Sequence, residues 1–151
     1  MWVTNSGKGT LTKLLASDGS LVGTIDTGGA ASFPYPIVFD GTYLWVTLGV
    51  DNTVKKIHAA TGQAVGTYSA GQAPNGMRLD GTYIWISNQG QNKQGTVTQL
   101  LATTGELVGT YPVGYRTQDV GYDGIGYVWA VHGGDLSGNA GAQSITILPI
   151  P

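Results

Sequence analysis

Four tryptophans cut the chain at nearly equal intervals. Trp2, Trp45, Trp85 and Trp129 are separated by 43, 40 and 44 residues. Two other markers keep the same period. Val22-Gly23-Thr24, Val65-Gly66-Thr67 and Val108-Gly109-Thr110 recur at intervals of 43 residues. Asp40-Gly41, Asp80-Gly81 and Asp123-Gly124 precede the last three tryptophans. A repeat of about 40–45 residues with its own turn signals marks an array of one supersecondary unit. Such a unit cannot bury its apolar face alone, so neighbouring units must stack.

Each unit reads as four strands. Strand A is 37–39, 77–79 or 120–122, and a turn through Asp-Gly leads to strand B, which carries the Trp. Gly accepts a positive φ, which makes Asp-Gly between apolar runs a hairpin signal. The third copy of this turn carries one extra residue, Gly126. Strand C is 11–15, 54–58, 97–101 or 145–148. A glycine turn then leads to strand D, the Val-Gly-Thr segment. No window keeps a 3.6-residue apolar period, so helix is expected to be nearly absent. The 25 glycines among 151 residues fall largely where the blade period needs turns. Four-stranded units of this length are the mark of β-propeller blades. The recurrent Trp is best explained as blade-to-blade packing.

Composition excludes several function classes. The absence of cysteine removes disulfide scaffolds and thiolate metal sites. A net charge of −2 argues against a nucleic-acid footprint. No run of about 18 apolar residues is present, so no membrane span is expected. The opening residues show neither a basic segment nor an apolar stretch of the secretory type.

The Trp-Val-Thr-Asn strand (2–5), the Asp-Gly-Thr-Tyr hairpins (40–43 and 80–83) and the Ala-Thr-Thr-Gly turn (102–105) resemble the YVTN-type repeat. They are also similar to repeats of the virginiamycin B (streptogramin) lyase-like propellers. The resemblance covers the chain from about Trp2 to Leu148. It implies a propeller fold and an extracytoplasmic setting. The lyase-like catalytic set resembles a Glu-x-His pair with a second His on a neighbouring blade, plus Mg²⁺. Here Ala130 stands two residues before His132, the one glutamate is Glu106, and Asn5, Leu48 and Asn88 occupy the other strand B ends. The resemblance therefore implies the fold without the catalytic set.

The expected architecture is all-β: one domain, 1–151, with repeats at about 1–35, 36–73, 74–116 and 117–151. Strands count as three, four, four and three, or 14 in four blades, with strand A wanting in the first unit and strand D in the last. Such an open ring would expose two apolar blade faces. Two explanations fit: a piece of a longer propeller, or a ring closed by a second copy of the chain. The homodimer is the favoured expectation, and two-fold closure demands an even number of blades.

Function is expected at the channel mouth, where the B–C and D–A loops gather on a rigid scaffold. Candidate ligand-binding residues there are Tyr35, Asn75, Asn88, Arg116, Gln118, His132 and Asp135. Amides pair with hydroxyls and tyrosine stacks on apolar sugar faces, so a glycan, a peptide or another small polar ligand suits them. His132 is the one candidate general base, with Asp119 or Asp135 to orient it. The favoured reading is a non-enzymatic binding or scaffold module without cofactor or metal. The alternatives are a lyase- or hydrolase-type enzyme using His132, and a propeller piece with no independent function. Gly7-Lys8-Gly9-Thr10 lacks the upstream glycine of a phosphate loop. Asp51-x-Thr53 and Asp135-x-Ser137 are too short and carboxylate-poor for a calcium loop. Arg78 is expected to pair with Asp80 or Asp119.

Overall fold

The computed structural model describes residues 1–91, 94–134 and 144–149. Apart from two short 3-10 turns at Ser6–Lys8 and Ala30–Ser32, the regular structure among these residues is antiparallel strand. The first blade is β1 (Trp2–Asn5), β2 (Thr10–Leu14) and β3 (Leu21–Asp26). The second is β4 (Pro34–Phe39), β5 (Tyr43–Leu48), β6 (Thr53–His58) and β7 (Ala64–Ser69). The remaining strands form one six-stranded sheet: β8 (Pro74–Leu79), β9 (Tyr83–Asn88), β10 (Gln94–Leu101), β11 (Leu107–Tyr122), β12 (Tyr127–Gly134) and β13 (Ser144–Pro149). No helix among the described residues is long and apolar enough to cross a membrane.

The third and fourth blades share a sheet because β11 does the work of two strands. Its first part pairs with β10 as strand D of the third blade, and its last part pairs with β12 as strand A of the fourth. Tyr115 faces both Gln94 and Gly134, so the pairing never lapses between the two blades. The 14 expected strands therefore appear as 13 among the described residues.

Strand alternation gives the second and third blades two apolar faces each. The front carries the Trp, and the rear carries its sequence neighbours. Trp45 and Val54 on the front of the second blade pack with Met77, Ile84, Ile86 and Leu100 on the rear of the third. Trp85 and Val97 pack with Val120, Val128 and Ala130 of the fourth. Leu44, Val46 and Leu48 on the rear of the second blade meet Leu11 and Trp2 of the first. Trp45 and Trp85 are fully buried. Each leans on a strand D tyrosine of its own blade, Tyr68 at 5.6 Å and Tyr111 at 5.9 Å between ring centroids. Losing such an indole costs about 3–5 kcal/mol.

The Asp-Gly hairpin does more than turn the chain. Gly41, Gly81 and Gly124 adopt positive φ, as the turn requires. The aspartate before each accepts hydrogen bonds from the turn and from the indole. Asp80 Oδ1 accepts from the N–H groups of Thr82 (2.8 Å) and Tyr83 (2.7 Å), and its Oδ2 accepts from Trp85 Nε1 at 2.7 Å. Asp40 does the same for Thr42, Tyr43 and Trp45. In the fourth blade the extra residue widens the turn, and Asp123 reaches Trp129 Nε1 only at 3.4 Å. The aspartate fixes the indole against the next blade and satisfies a buried donor.

Lys56 ties the second blade to the third. It is only 3% exposed, on the front of the second blade. Its ammonium donates to the carbonyls of Ala102 (2.8 Å) and Thr103 (2.9 Å) on the third blade. It also lies over the rings of Tyr43 and Trp45, at 4.4 and 4.8 Å. Burial pushes its pKa down, and the nearby Asp40 charge opposes that shift. Burial works against the Asp40 charge as well. The N–H of Tyr43, the indole of Trp45, the N–H of Thr42 and the Lys56 charge outweigh it, so this carboxyl titrates below its usual value.

Candidate functional site

One end of the blade array collects the B–C turns and the D–A loops. A cavity of about 350 Å³ opens there, within the size range of small-molecule sites. It is built across three blades. Ser6 comes from the B–C turn of the first blade, and Gly49 and Gln89 from those of the second and third. Phe33 and Tyr35 enter from the start of β4, and Ala73, Pro74 and Asn75 from the start of β8.

The backbone at these strand starts has an unusual conformation. Phe33, Ala73 and Arg116 stand at the same place in three successive blades, and all three have φ between 43° and 56°. Positive φ is uncommon outside glycine and costs about 1 kcal/mol or more. The bend is held from the facing B–C turn. Gly49 N–H donates to Phe33 C=O (3.2 Å), and Gln89 N–H donates to Ala73 C=O (3.0 Å). Because the bend recurs, it belongs to the blade, while the side chain at that place is free to vary. In the second blade it is a phenyl ring half exposed over the cavity.

Two of the residues expected at the mouth, Tyr35 and Asn75, line this cavity. Tyr35 is 59% exposed. Arg116 and Gln118 are exposed and lie together beside Gly133, on the fourth-blade side. Asp135 lies outside the described residues.

Asn88 requires a correction, because it is fully buried and spends its amide on structure. It donates to Thr96 Oγ1 (3.1 Å) and Thr98 Oγ1 (2.9 Å), and its Oδ1 accepts from Gly71 N–H of the preceding blade (2.9 Å). Alternation explains this: two residues after Ile86, Asn88 falls on the rear, core-facing side of β9. His132 occupies the corresponding place in β12. It is 3% exposed, and its Nε2 shares a hydrogen bond with Thr146 Oγ1 at 3.0 Å. The expected aim at the channel mouth is therefore corrected too. Asp119, one of its expected orienting partners, pairs instead with Arg78 at 3.2 Å, both half exposed. Among the described residues no cluster of three or more His, Asp or Glu could hold a metal ion.

Ser6, Phe33, Gly49, Ala73, Pro74 and Gln89 complete the cavity and are not among the residues singled out from sequence. The Phe33-Pro34 and Ala73-Pro74 pairs were the available signal, since each opens a strand A at the same point of the repeat. The lining holds two aromatic rings, a proline and two amides, with no carboxylate, imidazole or ammonium. It is equipped to bind a neutral molecule with one apolar face and a hydroxyl or amide edge.

No protein-family model matches the chain, and no curated protein matches it by sequence. Its fold does match solved structures. Hydrazine synthase from Kuenenia stuttgartiensis superposes with a TM-score of 0.82 at 17% identity, over 98% of this chain and 42% of that one. A streptogramin B lyase gives 0.71 at 20% identity, over 99% and 51%. The computationally designed Ika4 protein gives 0.72 at 17% identity, over 95% and 81%. The chain thus spans about half, or less, of the length of the two enzymes. At these identities the likeness establishes the propeller fold, with lyase-like neighbours among its relatives in shape, and leaves activity open.

Proposed function

We propose that this chain is a non-enzymatic propeller module that binds a neutral carbohydrate at the channel mouth. The observation that carries this reading is the uncharged cavity of about 350 Å³, with Phe33 and Tyr35 beside the amides of Asn75 and Gln89. Aromatic rings cover the apolar face of a sugar, and amides exchange hydrogen bonds with its hydroxyls. The rigid blade backbone holds both sets of groups in place, which limits the ordering cost of binding.

Titration calorimetry with the hits of a glycan array tests this. Binding should fall at least about tenfold on Tyr35→Ala and on Asn75→Ala, each about 1.4 kcal/mol or more. Arg116→Ala, outside the cavity, should leave it unchanged. An array without hits, or binding indifferent to both cavity substitutions, overturns the reading. The enzymatic alternative would need His132 exposed to a substrate, and the residue is buried at a blade junction.

A further inference from the structure

The two outermost faces of the blade array are complementary by the rules the chain applies to itself. The front of the fourth blade presents Tyr127 (45% exposed), Val131 (41%), Ile145 (56%) and Ile147 (49%) around the half-buried Trp129. Strand pairing places Trp129 opposite Ile147 and Val131 opposite Ile145. In the second blade the same lattice sets Trp45 opposite Lys56 and Thr47 opposite Val54. There the Trp45–Val54 face is buried against the third blade. The fourth blade therefore repeats a docking face and makes it more apolar, with Ile147 where the second blade has Lys56.

In the first blade, β1 repeats the receiving positions of β9. Val3 stands where the third blade has Ile86, and Asn5 where it has Asn88. Asn5 Nδ2 donates to Thr10 Oγ1 (3.2 Å) and Thr12 Oγ1 (2.8 Å), as Asn88 does to Thr96 and Thr98. Ile86 and Asn88 are fully buried under the second blade, whereas Val3 is 39% exposed.

We infer that a second copy of this chain completes the ring, the front of each fourth blade seating on the rear of the other copy's first blade. Both faces belong to one chain, so two copies satisfy all four exposed faces at once, and a two-fold axis along the channel closes the ring. The interface continues one that the chain already builds at its internal junctions. Asp26, opposite Thr10 on β3, is a charged residue of the rear face, and the front residues Tyr127, Trp129, Val131, Ile145 and Ile147 carry no like charge to repel it.

Sedimentation velocity at micromolar concentration tests this, together with a complementation pair. The unmodified chain should sediment with twice the mass of one chain. Ile147→Asp on the front and Val3→Asp on the rear should each give monomers with unchanged far-UV circular dichroism. Mixed, the two variants retain one sound front and one sound rear between them. They should form a heterodimer that neither forms alone. A monomeric unmodified chain, an open series of larger species, or variants that stay dimeric would overturn the inference. So would a mixture that stays monomeric. Glycan binding to a monomeric variant leaves this test untouched, so the two proposals fail separately.

Discussion

Replacing Asp80 by alanine isolates the bond that locks Trp85 to its hairpin. In the native chain Asp80 accepts from Trp85 Nε1 at 2.7 Å, and Trp85 has no solvent exposure. The variant leaves that indole N–H buried without its acceptor, a penalty of about 1–3 kcal/mol. The N–H groups of Thr82 and Tyr83 also lose Asp80 as acceptor, but Thr82 is exposed and can turn to water. The sum is about 2 kcal/mol. At about 2–4 °C per kcal/mol for a chain of this size, the midpoint should fall by about 4–8 °C. Thermal unfolding followed by near-UV circular dichroism measures it, at one fixed protein concentration because association would shift the midpoint. Asp80→Asn keeps acceptor oxygen at the turn and should lose less. Asp123→Ala is the internal control. Its indole bond is long, at 3.4 Å, and its Trp is half exposed, so its effect should be plainly smaller. A midpoint within about 1 °C of the unmodified chain for Asp80→Ala, or equal losses at both sites, would mean that the indole bond does not hold the hairpin.

The acid limb of the stability curve should carry a contribution from Asp40. Its carboxyl titrates below its usual value in the folded chain, so the unfolded chain binds the proton first as pH falls. The stabilisation is complete above the ordinary aspartate range, near pH 4, and is lost as pH drops through the folded value. Urea titrations between about pH 6 and 2 should show a shallower acid limb for Asp40→Asn, and an identical slope would contradict this. Lys56→Met keeps the apolar stem but abandons the carbonyls of Ala102 and Thr103, and should cost about 1–3 kcal/mol in the same titration at neutral pH. A neutral result there would mean that the buried ammonium is dispensable.

The blades were legible because period, hairpin glycines and strand composition all point to one unit. Trp45 and Trp85 lie at blade junctions, as their spacing implied. What escaped was decided by side-chain direction. Asn88 and His132 look like loop-mouth polar groups by position, yet alternation from Ile86 and Ala130 turns them inward. That signal was present in the strand and could have been applied. Lys56 was hidden for another reason. A charged residue in strand C normally faces water, and its burial depends on carbonyls 46 and 47 residues further along the chain. The continuity of β11 depends likewise on Tyr115 finding partners in two blades. The cavity was half legible. Tyr35 and Asn75 follow from the D–A loops, while Phe33 owes its place to a left-handed bend that no composition rule for phenylalanine foretells.

The first three Trp each mark a front face seated on the next blade, and the proposed dimer seats the fourth, Trp129, on a second copy. Fluorine NMR of 5-fluorotryptophan-labelled protein tests it without altering the scaffold. Four resonances should appear, and Trp129→Phe assigns the last. At low concentration Trp45 and Trp85 should show no solvent isotope shift between H₂O and D₂O, while Trp2 and Trp129 should. As concentration rises, the Trp129 resonance should lose its isotope shift and move toward the buried pair. A Trp129 resonance that stays solvent-sensitive at every concentration, or a Trp85 resonance as exposed as Trp129, would contradict the account.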